Sequence, residues 1–167
     1  MTEYEGLFLL PATEAQSDEI LALYRSQIGQ GTSDWNEYYP DMACIQDDLA
    51  DHALYTVQQD GRIIAAISLH NHDDELDALD CWTPARARSI SRLCVDLSLQ
   101  GQGIAGRIVE AAIAASRTEG YTSMRLLCSK TNAAANRLYQ RLGFVLRGSC
   151  TMYETNFFCY EKMFNVT

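Results

Sequence analysis

The stretch Ser89–Ala115, SISRLCVDLSLQGQGIAGRIVEAAIAA, limits the fold of this chain more than any other. Its first part, 89–97, is apolar enough to read as a strand with both faces largely buried. Three glycines follow, Gly101, Gly103 and Gly106. Ile104, Ile108, Ala111, Ala112 and Ala115 then share one face of a helix over about 103–118, and Gly120 is placed to end it. A second apolar run, SMRLLCS at 123–129, reads as another strand. Strand, glycine loop, helix and strand form a β-α-β crossover, which requires a sheet that is at least partly parallel.

The rest of the chain supplies the remaining elements. LFLL at 7–10 reads as a short buried strand. Thr13 and Gln16 have the spacing of a capping box, and Ile20, Leu21, Tyr24 and Ile28 continue at helical spacing. Residues 29–41 read as a loop, and Met42, Ile45 and Leu49 mark a second short helix. Two apolar runs, 53–58 and 62–70, flank Asp60-Gly61, a dipeptide suited to a tight hairpin turn. The acidic run NHDDELDALD at 71–80 reads as a solvated loop. Ala135, Leu138, Tyr139 and Leu142 share a helical face ahead of Gly143, and FVLRGSCTMY and NFFCYEKMF read as two final strands. The order is β-α-α-β-β-β-α-β-α-β-β. It predicts an α/β (α+β) fold with one mixed sheet of about seven strands and helices on both faces. With 167 residues and no linker or repeat, one domain is expected over 1–167.

Composition narrows the function classes. The formal net charge is −9, which disfavours binding to nucleic acid phosphates. No apolar run is long enough to span a membrane, and the acidic start lacks the features of a signal peptide, so a cytosolic protein is expected. Six cysteines are scattered without a CxxC pair and read as free thiols in a reducing compartment. The histidines do not fall at ligand spacing from them, so no metal site is expected.

A glycine loop between a strand and a helix lets main-chain N–H groups approach a ligand closely. The helix start adds unsatisfied amides and the positive end of its dipole, which together suit a phosphate or pyrophosphate. Read literally, 101–106 is G-x-G-x-x-G. A dinucleotide site also needs an acidic residue about 20 residues on, at the end of the next strand. Between Glu119 and Glu154 there is no Asp or Glu. An ATP-type loop fails as well, since no Gly-Lys-Ser/Thr follows.

Gln100-Gly101-Gln102-Gly103-Ile104-Ala105 matches Q/R-x-x-G-x-G/A, and here the sequence resembles the GNAT acetyltransferases. A second stretch, TNAAANRLYQRLGF at 131–144, is similar to that family's other signature through Asn132, Leu138-Tyr139 and Gly143-Phe144. The strong part of the resemblance covers roughly 89–147. It implies a GNAT-like, mostly antiparallel sheet and acetyl-CoA as cofactor, its pyrophosphate on residues 100–106. Gln100 stands where Arg is commoner, which removes one positive charge near the phosphates.

The resemblance further implies that strands 89–97 and 123–129 splay apart to admit the pantetheine arm, with an N–H near Cys94 or Val95 polarising the thioester carbonyl. Asn132 would hydrogen-bond the cofactor, or cap its helix, or both. Tyr139 holds the family's general-acid position, pictured as a phenol at a helix start facing the sulfur; packing of its ring in the core is the alternative. The implied reaction is N-acetylation of a primary amine by direct attack. A non-catalytic CoA-binding or sensing module on the same fold is the competing reading. The general base has no motif; Asp96, Asp80, His70 and Glu154 are candidates. A covalent route through Cys94 lacks a partner His. Trp35, Tyr38 and Tyr39 in the 29–41 loop could line an amine pocket or simply anchor the loop. A mixed sheet ending in an apolar hairpin, NFFCYEKMF, could pair with a copy of itself in a homodimer.

Overall fold

Side-chain caps and turn residues set most of the element boundaries. In this computed structural model, which describes residues 2–30 and 34–165, Gln16 accepts from the Thr13 N–H at 2.9 Å. That bond opens a single 3₁₀ turn leading into α1 (Ser17–Ser26). Asp41 accepts from Cys44 N–H at 3.0 Å and starts α2 (Met42–Ala50). Asp60 and Gly61 both have positive φ, 53° and 75°, in the turn between β3 (Leu54–Gln59) and β4 (Arg62–His70). The other elements are β1 (Thr2–Tyr4), β2 (Leu7–Pro11), α3 (Asp74–Asp77), β5 (Ala87–Val95), α4 (Ile104–Thr118), β6 (Ser123–Ser129), α5 (Ala133–Arg141), β7 (Val145–Met152) and β8 (Thr155–Met163).

The strands form one sheet in the order β1-β2-β3-β4-β5-β6-β8-β7. Only β5 and β6 run parallel, at the crossover through α4. Helices cover both faces. Ile108, Val109, Ala111 and Ala112 of α4 pack with Ile67, Met124 and Leu126 on one side. Ile20, Leu23 and Tyr24 of α1 and Ile45 of α2 pack with Leu54, Ala66 and Cys94 on the other.

Three features depart from the expectation. The sheet has an eighth strand: β1, the polar tripeptide TEY, pairs antiparallel with β2 from Thr2↔Leu9 to Tyr4↔Leu7. The acidic segment is not all loop, because Asp73 caps α3 through Leu76 N–H at 3.1 Å and Leu76 is buried. β5 ends at Val95 rather than 97, since Asp96 turns the chain by accepting from the Ser98 N–H at 2.9 Å. β8 pairs with β6 on one side and β7 on the other, so β7 is the outer strand at that end of the sheet.

Ile108 is fully buried where α4 meets the sheet. Ile108→Ala is expected to lower unfolding free energy by about 2–5 kcal/mol, because the cavity cannot fully collapse between a helix and a sheet. Urea denaturation of the two proteins checks it.

Candidate active site

The parallel pair comes apart within the sheet. β5 and β6 are in register from Ala87↔Ser123 to Ile90↔Leu126, and no further. Beyond that point each strand stays paired on its outer side: β5 with β4 as far as Ala65↔Val95, β6 with β8 as far as Ser129↔Phe157. A bulge accompanies the parting, with a register shift between Ala66 and Ser68 and Arg92 at φ 47°. Asp96 N–H donates to Ile64 O at 2.8 Å. Main-chain groups alternate sides along a strand, so the N–H of Cys94 also faces β4, while those of Val95 and Leu93 face the gap. Of the two positions named from sequence, the geometry therefore aims Val95 into the gap and turns Cys94 away. Burial pushes the Cys94 thiol up to about 12, which marks a core thiol rather than a nucleophile.

The glycine loop stands at the far end of β5. Gly101 and Gly103 have φ of 81° and 79°, and a Cβ at either would meet nothing within 4 Å. Gly103 occupies the cap position of α4 without a side chain to cap it. The first bond closing the helix runs from Arg107 N–H to Gly103 O at 3.2 Å, so the amides of Ile104, Ala105 and Gly106 point out of the helix end. Gly106 serves packing instead. A Cβ there would lie 3.5 Å from Leu138 Cδ1, so the glycine sets the approach of α4 to α5. The side chain of Gln102 is exposed beside the loop. Gln100 turns inward, donating from Nε2 to Val95 O and to Gln27 Oε1, each at 3.1 Å. Gln27 Nε2 donates to the same Val95 oxygen at 3.1 Å.

Asn132 caps α5, accepting from Ala135 N–H at 3.1 Å. Tyr139 lies in the second turn of α5, not at its start, because the helix begins at Ala133. Its ring meets Phe144 edge-on at 5.4 Å and Tyr160 at 6.2 Å. It is 6% exposed, and its hydroxyl makes no hydrogen bond among the described residues. Desolvation, then the nearby Cys128, push this phenol well above the ordinary range.

On the α1–α2 face of the gap sits a polar cluster that the sequence reading did not find. Asp48, 2% exposed, receives Arg92 Nη2 at 2.7 and 2.8 Å, Arg92 Nε at 3.0 Å and Ser68 Oγ at 2.6 Å. His70 Nε2 lies 3.0 Å from Ser91 Oγ, 3.3 Å from Arg92 Nη2 and 3.5 Å from Asp48 Oδ1. The available signal was a carboxylate at 48 inside the apolar stripe of 45 and 49. The aromatic loop divides its work. Trp35 packs edge-on against Tyr24 at 5.3 Å, Tyr39 OH accepts from Arg92 Nη1 at 3.1 Å, and Tyr38 is exposed. Asp34 ties the loop to the end of β6 through Ser129 Oγ and Thr131 Oγ1.

The other base candidates are scattered. Asp96 accepts from the Ser98 hydroxyl and amide, which hold its carboxyl below the usual range. Asp80 is exposed after α3, and Glu154 sits at positive φ in the turn between β7 and β8.

Two measurements follow from this burial. Asp48→Ala strands the Arg92 guanidinium in a largely buried site and is expected to cost about 3–5 kcal/mol of stability, read by urea denaturation. A phenol with a raised native pKa stabilises the fold fully below its unfolded value of about 10, and that contribution is lost as pH rises above it. Stability measured from pH 9 to 12 is therefore expected to fall less steeply in Tyr139→Phe than in the parent.

The acetyltransferase (GNAT) family model matches residues 20–144. N-acetyltransferase 8F1 of Rattus norvegicus is 29% identical over 140 residues, in a match that covers 77% of this chain and 58% of that protein. The chain spans about half the length of the curated relatives it matches. An acetyltransferase of the GNAT family from Streptococcus agalactiae superposes with a TM-score of 0.83 at 18% identity, covering 99% of this chain and all of that one. The yncA protein of Salmonella typhimurium, solved with its cofactor acetyl-CoA, gives 0.70 at 16% identity over 96% of this chain and 95% of its own. At those identities the likeness is one of fold. The family match runs through both glycine-marked signatures and the gap between them: this chain belongs to the GNAT family of acetyltransferases.

Proposed function

We propose that the chain is an acetyl-CoA-dependent N-acetyltransferase acting on a primary amine by direct attack. The observation that carries this reading is the gap between β5 and β6, which opens at Ile90 and Leu126 beside the uncapped start of α4. Residues at both ends of the gap suit the cofactor. The free amides of 104–106, reached past two glycines with open space, match the hydrogen-bonding needs of a diphosphate. Unpaired main-chain groups along β5 match the amides of a pantetheine arm. The yncA neighbour carries acetyl-CoA in its own structure.

Bound acetyl-CoA supplies an activated acetyl group, whose carbonyl carbon the neutral amine attacks. The Val95 N–H, aimed into the gap, then stabilises negative charge on the carbonyl oxygen. The Tyr139 hydroxyl, which has no competing partner among the described residues, gives its proton to the leaving sulfur. His70 is the candidate base the geometry favours. It alone of the four candidates sits in the cluster around Asp48 and Arg92 on the α1–α2 face of the gap.

Acetyl-CoA turnover with a panel of primary amines, read as thiol release beside a cofactor-binding assay, tests this. Turnover is expected, with Tyr139→Phe slowing kcat by about 10²-fold or more while leaving cofactor affinity nearly unchanged. Binding without turnover across a broad panel would instead identify a CoA-binding module, and unchanged kcat in Tyr139→Phe would remove that residue from the acid role.

A further inference from the structure

Cys81, Cys150 and Cys159 are far apart in the chain and together in the fold. In the β7–β8 ladder Gly148 faces Cys159 and Cys150 faces Phe157. Gly148 and Cys150 share a strand face, so Cys150 lies diagonally across from Cys159. The segment after α3 lays Cys81 on the same spot. A Cβ built on Gly148 would stand 3.4 Å from Cys81 Cβ and 4.0 Å from its Sγ, so the glycine leaves the room that Cys81 occupies. Cys81 and Cys150 are both electrostatic neighbours of the Cys159 thiol. All three are free; Cys159 is buried and the other two half-buried. Among the described residues no three His, Cys, Asp or Glu side chains are spaced to hold a metal ion. Convergent thiols without metal-site spacing fit redox chemistry.

We propose that Cys81 and Cys159 form a reversible dithiol site that reacts with low-molecular-weight disulfides such as oxidised glutathione. The half-buried Cys81, as thiolate, attacks one sulfur of the small disulfide; its S–S bond breaks and one small thiolate leaves. Cys159 loses its proton and attacks the Cys81 sulfur of the mixed disulfide, releasing the second small thiolate. Two protein thiols are oxidised to one disulfide, one small disulfide is reduced to two thiols, and the two protons pass through solvent to the departing thiolates. Burial and the neighbouring thiols push the Cys159 thiol up, so the second step accelerates as pH rises. The bond would fix the segment that already rests on β8, where Thr83 N–H and hydroxyl donate to the buried Glu161. The same segment is tied to the sheet at two further points, where Glu75 accepts from Tyr153 OH and Asp77 pairs with Arg125. The site is independent of the acetyl-transfer reading.

The test is to incubate the reduced full chain with oxidised glutathione, quench with acid, alkylate, digest and map by mass spectrometry. The thiol count is expected to drop by two from six, with one intramolecular crosslink joining the Cys81 and Cys159 peptides, reversed by dithiothreitol. Cys81→Ser is expected to abolish the crosslink, while Cys44→Ser and Cys150→Ser retain it. Glutathione adducts without a crosslink, a crosslink between two chains, or one joining Cys81 to Cys150 would overturn the proposal, as would an undiminished two-thiol loss in Cys81→Ser.

Discussion

An interior strand pair of a sheet normally carries an unbroken ladder, because its main-chain groups have no water to bond. Here it is where the ladder stops. Past Ile90 and Leu126, main-chain donors and acceptors on the facing edges of β5 and β6 have no ladder partner. Such groups are costly to bury unpaired. The parting is nevertheless not a frayed end, because each strand keeps its other neighbour beyond that point. The bulge at Arg92 bends β5 away, and the amides of Gln27 and Gln100 both satisfy the Val95 carbonyl at the strand's end. What is left is an opening with fixed walls and a small set of main-chain donors facing inward.

The elements with strong periodicity or a strong turn residue were legible in the sequence. The Asp60-Gly61 hairpin, the α4 face and the 123–129 strand lie where the pattern puts them, because each rests on a local rule. β1 was not legible: three mostly polar residues have no pattern of their own and become a strand by pairing with β2. The short helix in the acidic run depends on one buried leucine among carboxylates. In the candidate site the glycine loop was plain, since glycine takes the left-handed conformations at 101 and 103 without steric cost. The inward turn of Gln100 was not, because a motif letter does not say which way a side chain points. Asp48 and Arg92 carry no motif, and come together only when α2 is placed over β5.

The acidic balance also proves to be a poor guide to the site. Many of the carboxylates act locally: Asp41, Asp73 and Asp96 each end in a cap. Asp48 and Glu161 are instead buried against arginines, Arg92 and Arg147. Removing a charge from water is favourable only when a partner and further hydrogen bonds replace the lost solvation. Asp48 meets that condition with four donated bonds, and in doing so fixes the Arg92 guanidinium, which in turn orients His70 and Tyr39. Position relative to the gap, not net charge, gives these residues their interest.

The burial of Tyr139 bears on the chemistry proposed for it. A phenol held well above its ordinary pKa is a weak acid, which at first tells against proton donation. The comparison that matters, though, is with the sulfur receiving the proton. Cys128, a neighbour of Tyr139 in the same cluster, shows what this surrounding does to a thiol: desolvation pushes it up to about 12. Both acids are shifted in the same direction by the same physical cause. In water the two differ by about 1.5 units, and shared desolvation leaves that difference of similar size while making an unprotonated sulfur costlier to release. A dry pocket therefore does not disarm the tyrosine; it raises the demand for the proton together with the difficulty of giving it up.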